Sequence, residues 1–500
     1  MNGAGRDRRG GRTDRSAGAP RTRVSAARLV AYDVLRDVME RDAYANLALP
    51  SRLREARLSG RDAALATELT AGALRGMGRY DRIIELASGR SIEAIDPRTR
   101  NVLRLGVHQL LGMRTATHAA VNESVELQRQ VANRSATGFV NGVLRAIDRV
   151  ESAEWDRRID AAAASPDDSL AARTSHPTWV VRALRDALRA EGAADELAAL
   201  LAADNEPPKV SLALLPGAGI DVDTAEALGI DLESGSSRLA ATGPSPLGLE
   251  VAGGDPGQVI DALEVPTGTL RVQDQGSQLA ALALVHARPV AEAEAWLDLC
   301  AGPGGKTAVL AAEAALTGAR LRANEVAEHR AELVRQAVVA NEARVEVVSA
   351  DGREDAAFGG ARAGFDRILV DAPCSGLGAL RRRPEARWRK RPSDLPELTR
   401  LQGELLDAAI AHLAPGGLVA YVTCSPHLAE TRMVVDAALR RHPSIREVDA
   451  KAVVTQVARS TLELRGDQLS AQLWPHRHGT DAMFIALLAH EAELPGESTP

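Results

Sequence analysis

From about residue 291 onward, short apolar runs alternate with longer amphipathic stretches, and this alternation constrains the fold more than any other feature. The strand-like runs are AWLDLC, RLRANE, RVEVVSA, FDRILVDAP and GLVAYVTC, and the helical stretches between them include TAVLAAEAAL and AEHRAELVRQAVVANEA. Strands that alternate with helices predict a doubly wound, mostly parallel α/β sheet of the Rossmann-like class, which we expect over residues 286–490. Ligands of such sheets bind at the carboxyl ends of the strands.

The 500-residue chain is long enough for further domains. Residues 25–150 have apolar residues at three- and four-residue spacing, as in AARLVAYDVLRDVME, and predict an all-α helical bundle. Residues 151–285 combine amphipathic helices, short strands and Gly/Pro-rich loops, so we expect a mixed α+β connector. Residues 1–24 are rich in Arg, Gly and Ser and predict a disordered basic tail.

Neither a secretory leader nor a membrane-spanning segment is predicted, because no run of about 18 apolar residues occurs. We therefore expect a cytoplasmic protein. We also expect the protein to be a monomer. The net charge of −6 argues against a uniformly basic surface, so contacts to a polyanion should be local. Three widely spaced cysteines, Cys300, Cys374 and Cys424, suggest neither a disulfide framework nor a metal site.

A glycine-rich loop, Asp298-Leu-Cys-Ala-Gly-Pro-Gly-Gly-Lys-Thr307, follows the first strand of the predicted sheet. Glycines at a helix start let backbone N–H groups approach a ligand closely. A nucleoside-triphosphate loop would need a glycine at position 300, where the chain has cysteine. The loop residues predicted to contact a cofactor are Cys300 (through its backbone), Ala301, Gly302, Pro303, Gly304, Gly305 and Lys306.

Acidic residues end the next two strands of this sheet. Glu325 lies about 20 residues beyond the glycines, where a carboxylate binds the hydroxyls of a ribose. Asp351 ends the third strand, where it could reach an adenine ring. These features favour an adenosyl ligand but do not separate a nicotinamide cofactor from S-adenosylmethionine.

Two cysteines follow strand-like runs, in Asp371-Ala-Pro-Cys374 and in Thr423-Cys424-Ser425. A thiolate that adds to C6 of cytosine makes C5 nucleophilic enough to accept a methyl group, and a base must then remove the C5 proton. On chemistry alone either cysteine could be the nucleophile. A nicotinamide-dependent oxidoreductase would not need cysteines at the ends of two strands, so the two cysteines argue against that class of enzyme.

Together, these three motifs resemble the RNA cytosine-C5 methyltransferases of the NOL1/NOP2/Sun type. The helical first half resembles the NusB-type RNA-binding domain, in the stretches RDAALATELTAGALR, HAAVNESVELQR and FVNGVLRAIDR. A NusB-type domain followed by the catalytic domain is an order similar to that of the bacterial Sun/RsmB-type members, which modify 16S ribosomal RNA. The resemblance implies a class I methyltransferase domain that uses S-adenosylmethionine. It also implies that Cys424 attacks the base, that Cys374 helps to release the product, and that Asp371 contacts the cytosine or the cofactor and is oriented by Lys306. The Thr-Cys nucleophile favours RNA over DNA by resemblance only.

A strongly basic segment, LRRRPEARWRKR, begins six residues after Cys374. Arginines pair with phosphates and a tryptophan can stack on an unpaired base. The segment predicts RNA contacts by Arg381, Arg382, Arg383, Arg387 and Trp388, and the alternative is a solvated basic loop. A substrate such as tRNA, and a non-catalytic RNA-binding protein, also remain open as alternatives.

Overall fold

A computed structural model describes residues 24–491 except 114, 229, 233–234, 253–255 and 361–363. The basic tail predicted over residues 1–24 therefore lies, apart from its last residue, outside the described residues. In the part of the chain that is described, no helix is both long enough and apolar enough to cross a membrane.

The first part of the chain is helical, as its periodicity predicts. Apolar side chains spaced along each helix, among them Tyr32, Leu69, Ile83 and Leu144, meet in one buried core. The α-helices are α1 Ala26–Glu40, α2 Ala45–Glu55, α3 Gly60–Arg75, α4 Met77–Ser88, α5 Pro97–Val107, α6 Thr117–Val131 and α7 Thr137–Asp148. Short 3-10 turns lie at Ile92–Ala94 and Arg134–Ala136, and one π turn lies at His108–Gly112.

The middle of the chain forms a helical layer followed by a small sheet, in agreement with the mixed α+β prediction. The helices are α8 Ser152–Ala162, α9 Pro166–Thr174, α10 Thr178–Ala190, α11 Leu197–Ala203, α12 Val222–Ala227 and α13 Pro256–Ala262, with a 3-10 turn at Ala194–Glu196. The strands are β1 Val210–Leu214, β2 Ile230–Leu232, β3 Gly235–Ala240, β4 Gly248–Ala252 and β5 Leu270–Val272. They pair antiparallel in the order β2-β3-β4-β1-β5.

The last part of the chain forms the large α/β sheet. Its strands are β6 Ala295–Asp298, β7 Arg320–Asn324, β8 Val345–Val348, β9 Phe365–Asp371, β10 Leu413–Thr423, β11 Ile445–Val448, β12 Ala471–Leu473 and β13 Met483–His490. The strand order is β11-β13-β10-β9-β6-β7-β8, with β12 paired to β13. The five strands predicted from the apolar runs, β6 to β10, are parallel, whereas β13 is antiparallel to β10 and was not predicted.

Helices cover both faces of this sheet. They are α14 Gln275–His286, α15 Gly305–Thr317, α16 Glu328–Ala337, α17 Asp355–Phe358, α18 Ala386–Arg389, α19 Leu395–Ala411, α20 Arg432–Arg441, α21 Ala450–Val457 and α22 Pro475–His478, with 3-10 turns at Val339–Arg344 and Pro392–Asp394. One core lies between the sheet and α14, α15 and α21, and a second lies on the opposite face against α19 and α20. Because β6, β7, β8, β9 and β10 are parallel, their carboxyl ends and the loops after them meet at one edge.

Candidate active site

A cavity of about 490 Å³ lies at the carboxyl edge of the parallel strands. Its walls bring together Gly302 of the glycine-rich loop, Glu325, Asp351 and both Cys374 and Cys424. The sequence places these residues on separate segments spread over more than 120 positions, and the parallel sheet collects them at one site. The cavity thus joins the predicted cofactor residues to the predicted thiols.

The glycine-rich loop is shaped by close backbone packing. Gly304 has a left-handed φ of 94°, and a Cβ atom there would lie 2.5 Å from Cβ of Ala337. At Gly302 a Cβ atom would lie 2.3 Å from Oε2 of Glu325, so only glycine fits without movement. Helix α15 begins at Gly305, and its first N–H groups are available to a ligand at this edge.

The two acidic strand ends differ in their environment. Glu325 is buried, and its Oε2 accepts the backbone N–H of Gly302 at 3.0 Å, which ties the strand end to the glycine-rich loop. Asp351 lies on the wall of the cavity, and its hydrogen bonds with Arg353 lower the pKa of the carboxyl to about 2. Carboxylates at these positions, beside backbone N–H groups of a glycine-rich turn, fit the ribose and adenine of an adenosyl group.

The sulfur atoms of Cys374 and Cys424 are 3.4 Å apart. The hydrogen bond between them lowers the pKa of Cys424 most, and the nearby cations Lys306 and Arg383 lower it further, against the opposing effects of burial and of Asp371. The same hydrogen bond and burial raise the pKa of Cys374 well above its ordinary value. These opposite directions favour a thiolate at Cys424 and a protonated thiol at Cys374.

Lys306 and Asp371 form an ion pair beside these thiols, with Nζ and Oδ2 2.8 Å apart. Burial lowers the pKa of Lys306, but Asp371, Cys424 and Asp298 together raise it by more, so the ammonium group stays charged. This pair connects the glycine-rich loop to the end of β9. The predicted orientation of Asp371 by Lys306 agrees with this contact.

Cys300 has a different environment from the other two cysteines. Burial, followed by the negative charges of Asp298 and Asp371, raises the pKa of its thiol well above the ordinary range. Its side chain packs against the core on one face of the sheet. A thiol of this kind is inert as a nucleophile. That Cys300 contacts a cofactor through its backbone only stays a prediction.

A buried glutamate that the sequence did not single out holds the two cysteine loops together. Oε1 of Glu430 accepts the backbone N–H of Ser375 at 2.7 Å, and its Oε2 accepts the hydroxyls of Ser375 and Ser425 at 2.5 and 2.7 Å. Gln402 donates to the same carboxylate at 3.2 Å. Since Ser375 and Ser425 directly follow the two cysteines, Glu430 fixes the separation of the thiols. In the stretch Cys-Ser-Pro-His-Leu-Ala-Glu, Glu430 is a single glutamate five residues after Ser425, and no motif around it indicates this role.

The basic segment is mostly interior, and this corrects part of the RNA prediction. Arg387 has no exposed surface and donates to the backbone carbonyls of Ser175 and Asp204 and to the side chain of Asn205. Arg381 is buried and donates to the carbonyl oxygen of Gly479. The prediction that Arg381 and Arg387 contact RNA is therefore wrong, because their guanidinium groups already satisfy internal acceptors.

Arg382 and Trp388 are also engaged within the protein. Arg382 pairs with Asp274 at 2.7 Å and with Asp481 at 3.1 Å, and Trp388 is half-buried with its ring against Gly78 of the helical domain. Both side chains are only partly exposed, and each already has a partner within the protein. The segment is thus not a simple solvated loop, since it joins the helical domain, the connector and the methyltransferase domain.

Arg383 is the exception among the five predicted RNA residues. Its side chain is exposed and lines the same cavity as the cysteines. Tyr44 of the helical domain lies on the same wall, with its ring centroid 5.3 Å from Cζ of Arg383. No sequence pattern indicates that the helical domain reaches this cavity.

Comparison with known protein families divides the chain into two matched regions. Residues 286–489 match the family model described as 16S rRNA methyltransferase RsmB/F. Residues 25–149 match the model of the NusB family. The first match contains the whole parallel sheet, and the second contains helices α1 to α7.

Similar proteins span nearly the full chain. A Mycobacterium tuberculosis protein, provisionally named a methyltransferase, is 46% identical over 477 residues, which cover 95% of this chain and 99% of the relative. A ribosomal RNA small subunit methyltransferase B of Pseudomonas putida is 31% identical over 84% of this chain and 91% of its own length. The crystal structure of the protein PH0851 has a TM-score of 0.73 at 21% identity, covering 93% of this chain and 98% of that one, and supports the fold.

Proposed function

Because the chain belongs to the 16S rRNA methyltransferase RsmB/F family, we propose that it methylates C5 of a cytosine in small-subunit ribosomal RNA. In this proposal Cys424 forms a covalent bond to C6 of the base. The observation that carries it is the pair of thiols 3.4 Å apart in the cavity that also contains the glycine-rich loop. A methyltransferase acting by direct attack of a ring nitrogen or a hydroxyl would need neither thiol.

The methyl donor is S-adenosylmethionine, which supplies an electrophilic methyl group when bound. The residues suited to hold it are Glu325 for the ribose, Asp351 for the adenine, and the backbone of the loop from Cys300 to Gly305, with Lys306 and Asp371 beyond them. Glu325 and Lys306 are buried, and their contacts with Gly302 and Asp371 are already formed in the described structure. Little rearrangement is needed for binding, which keeps the entropic cost low.

The first step is attack by the Cys424 thiolate. Its electron pair forms the S–C6 bond, and the electrons of the C5–C6 double bond become available at C5. The neighbouring S–H group of Cys374 and the positive charges of Lys306 and Arg383 favour the thiolate, as the lowered pKa of Cys424 indicates. Asp371 lies at the cavity wall, where it can hydrogen-bond to the cytosine ring.

The second part of the reaction is release. After C5 is alkylated, its proton must leave to a base in the cleft, the C5–C6 double bond re-forms, and the S–C6 electron pair returns to Cys424. We assign Cys374 to this step, because its S–H group is placed to donate to the departing sulfur and stabilise the thiolate. The raised pKa of Cys374 keeps that proton in place.

The remaining domains are proposed to select the RNA. We assign residues 25–150 and the connector over residues 151–285 to RNA binding, because the former match the NusB family and both contact the methyltransferase domain. The target cytosine must be unpaired or extruded to reach the cavity.

The proposal is tested by incubating the protein with labelled S-adenosylmethionine and total RNA from a strain that lacks the gene. We expect label in small-subunit ribosomal RNA as 5-methylcytosine at a defined position. RNA from the parent strain, whose site is already methylated, is the matched control and should accept little label. Label in tRNA alone, or on another base, would contradict the proposal.

A further inference from the structure

One residue of the helical domain lies in the wall of the active-site cavity. Tyr44 precedes helix α2, far from the methyltransferase domain in sequence, yet it lines the cavity that contains Cys374 and Cys424. Its side chain is 43% exposed, so one part of the ring packs on protein and the other faces the open cavity. The helical domain therefore contributes surface to the site of the chemistry.

The position of Tyr44 is fixed by contacts on either side of it in the chain. The backbone N–H of Ala45 donates to Oε1 of Glu385, a carboxylate with no exposed surface, at 3.1 Å. The guanidinium of Arg389 donates to the carbonyl oxygens of Val38 and Ala43 and lies 4.9 Å from the Tyr44 ring centroid. An aromatic ring held in this way presents its exposed surface at little entropic cost.

Arg383 supplies an uncompensated positive charge next to this ring. Its Cζ atom lies 5.3 Å from the Tyr44 centroid, and no carboxylate among the described residues pairs with it. The preceding residue is a direct contrast, because Arg382 is neutralised by Asp274 and Asp481. Two arginines of this segment line the cavity, and Arg389 already donates to the carbonyl oxygens of Val38 and Ala43, so Arg383 is the one of the two whose guanidinium remains available to a phosphate.

We propose that Tyr44 and Arg383 form a binding subsite for the nucleotide adjacent to the target cytosine. The base of that nucleotide stacks on the exposed part of the Tyr44 ring, and its phosphate pairs with Arg383. Aromatic stacking accepts any base, and a nucleotide next to an extruded base is unstacked on one side. This inference rests on the proposed function, and it makes the helical domain part of the substrate site and not only a distant RNA anchor.

The stacking part is tested with Tyr44→Ala and Tyr44→Phe, using an unmodified small-subunit ribosomal RNA transcript as the probe. We expect Tyr44→Ala to raise both the Kd and the KM for the transcript roughly tenfold, leaving the KM for S-adenosylmethionine unchanged. Tyr44→Phe keeps the ring and should restore most of the affinity. Leu47→Ala, a truncation at a 69%-exposed position of α2, is the matched control and should match the unsubstituted protein.

The phosphate part is tested with Arg383→Gln against Arg446→Gln, which removes an exposed arginine at the far edge of the sheet. Arg383→Gln should make the log–log dependence of the Kd on salt less steep by about 0.7, the value for one phosphate contact in single-stranded nucleic acid, and Arg446→Gln should not.

The two proposals fail in different ways. If Tyr44→Ala lowers the unfolding temperature but leaves the Kd for the transcript unchanged, the ring only joins domains and the subsite is overturned. An unchanged salt slope for Arg383→Gln overturns the phosphate contact. If the unsubstituted protein transfers no methyl group to the transcript, the proposed function fails, while the binding measurements still decide the subsite.

Discussion

The proposed cofactor half and the proposed substrate half of the cavity are built differently. The cofactor half comes mainly from one continuous segment, in which β6, the glycine-rich loop and α15 follow each other directly, closed by Glu325 at the end of the next strand. The substrate half combines two cysteine loops, the buried Glu430 behind them, and Tyr44 from another domain. A site formed by one continuous segment can be predicted from a sequence motif. A site formed by distant segments cannot, because its residues come together only through packing.

Neighbouring arginines of the basic segment show the same difference on a small scale. Arg382 and Arg383 are identical side chains in adjacent positions, but one is neutralised by two carboxylates and the other faces the cavity. Composition predicts a basic surface for both. Only the positions of Asp274 and Asp481, about 100 residues away on either side, decide which charge is left for RNA.

Removing the nucleophile should have the largest effect. Cys424→Ala is expected to lower methyl transfer by at least about a thousandfold, because it removes the thiol that forms the bond to C6, while binding of S-adenosylmethionine stays intact. Cys300→Ala, which removes the thiol of the cofactor half, is the matched control and should retain activity. The measurement is single-turnover transfer of label to RNA, and near-normal activity of Cys424→Ala would refute the assignment.

Arg387 tests the corrected interpretation of the basic segment. Arg387→Ala should lower the free energy of unfolding by about 3–5 kcal/mol, since it leaves the carbonyl oxygens of Ser175 and Asp204 and the side-chain oxygen of Asn205 without their donor. Arg383→Ala should change it by less than about 0.5 kcal/mol, as expected for an exposed side chain. Urea unfolding followed by circular dichroism measures both, and an Arg387 variant of normal stability with weakened RNA binding would restore the original prediction.

The glutamates of the two halves should give opposite kinetic signatures. Glu430→Gln removes the charge that holds Ser375 and Ser425, so we expect kcat to fall roughly 10- to 100-fold with an unchanged KM for S-adenosylmethionine. Glu325→Gln should raise that KM roughly tenfold and leave kcat at saturation nearly unchanged. Steady-state kinetics with varied S-adenosylmethionine separates them. Equal effects of both variants on both constants would mean that the halves are not independent.

The reactivity of the thiols with pH should show the smallest effect. Because the pKa of Cys424 is lowered, its thiolate forms at a lower pH than an ordinary thiol, and its alkylation should accelerate as the pH rises through that range. Cys300, whose pKa is raised, should stay unmodified there. Arg383→Gln removes a positive charge and should move the Cys424 profile to higher pH. Iodoacetamide labelling with peptide mass mapping follows each cysteine, and a profile unmoved by Arg383→Gln would remove that charge from the account.

The fold was largely predictable, because its signals are local. Apolar runs predicted β6 to β10, and helical periodicity predicted the bundle that α1 to α7 form. The antiparallel strands β11 and β13 were not predicted, although MFIALLAH is as apolar as the other runs. The residues of that run do not indicate which strand it pairs with, because strand pairing depends on segments that are distant in sequence.

The parts of the site that have a local sequence motif were also predictable. The glycine-rich loop and the two cysteines carry sequence patterns, and the structure brings them to one cavity. Glu430 and Tyr44 lie in no such pattern, because a glutamate or a tyrosine near the end of a helix or strand is common and does not indicate a site residue. Arg387 was misassigned because the acceptors that bury it, the carbonyls of Ser175 and Asp204, lie some 180 to 210 residues earlier.

The central claim is that Cys424 attacks the base and Cys374 assists its release. The most direct test is to incubate Cys374→Ala with S-adenosylmethionine and the RNA substrate and to resolve the products on a denaturing gel. We predict a covalent protein–RNA species whose cross-linked peptide contains Cys424, absent from the Cys374→Ala, Cys424→Ala double variant. A species linked through another residue, or one that persists in the double variant, would contradict the account, as would accumulation in Cys424→Ala alone.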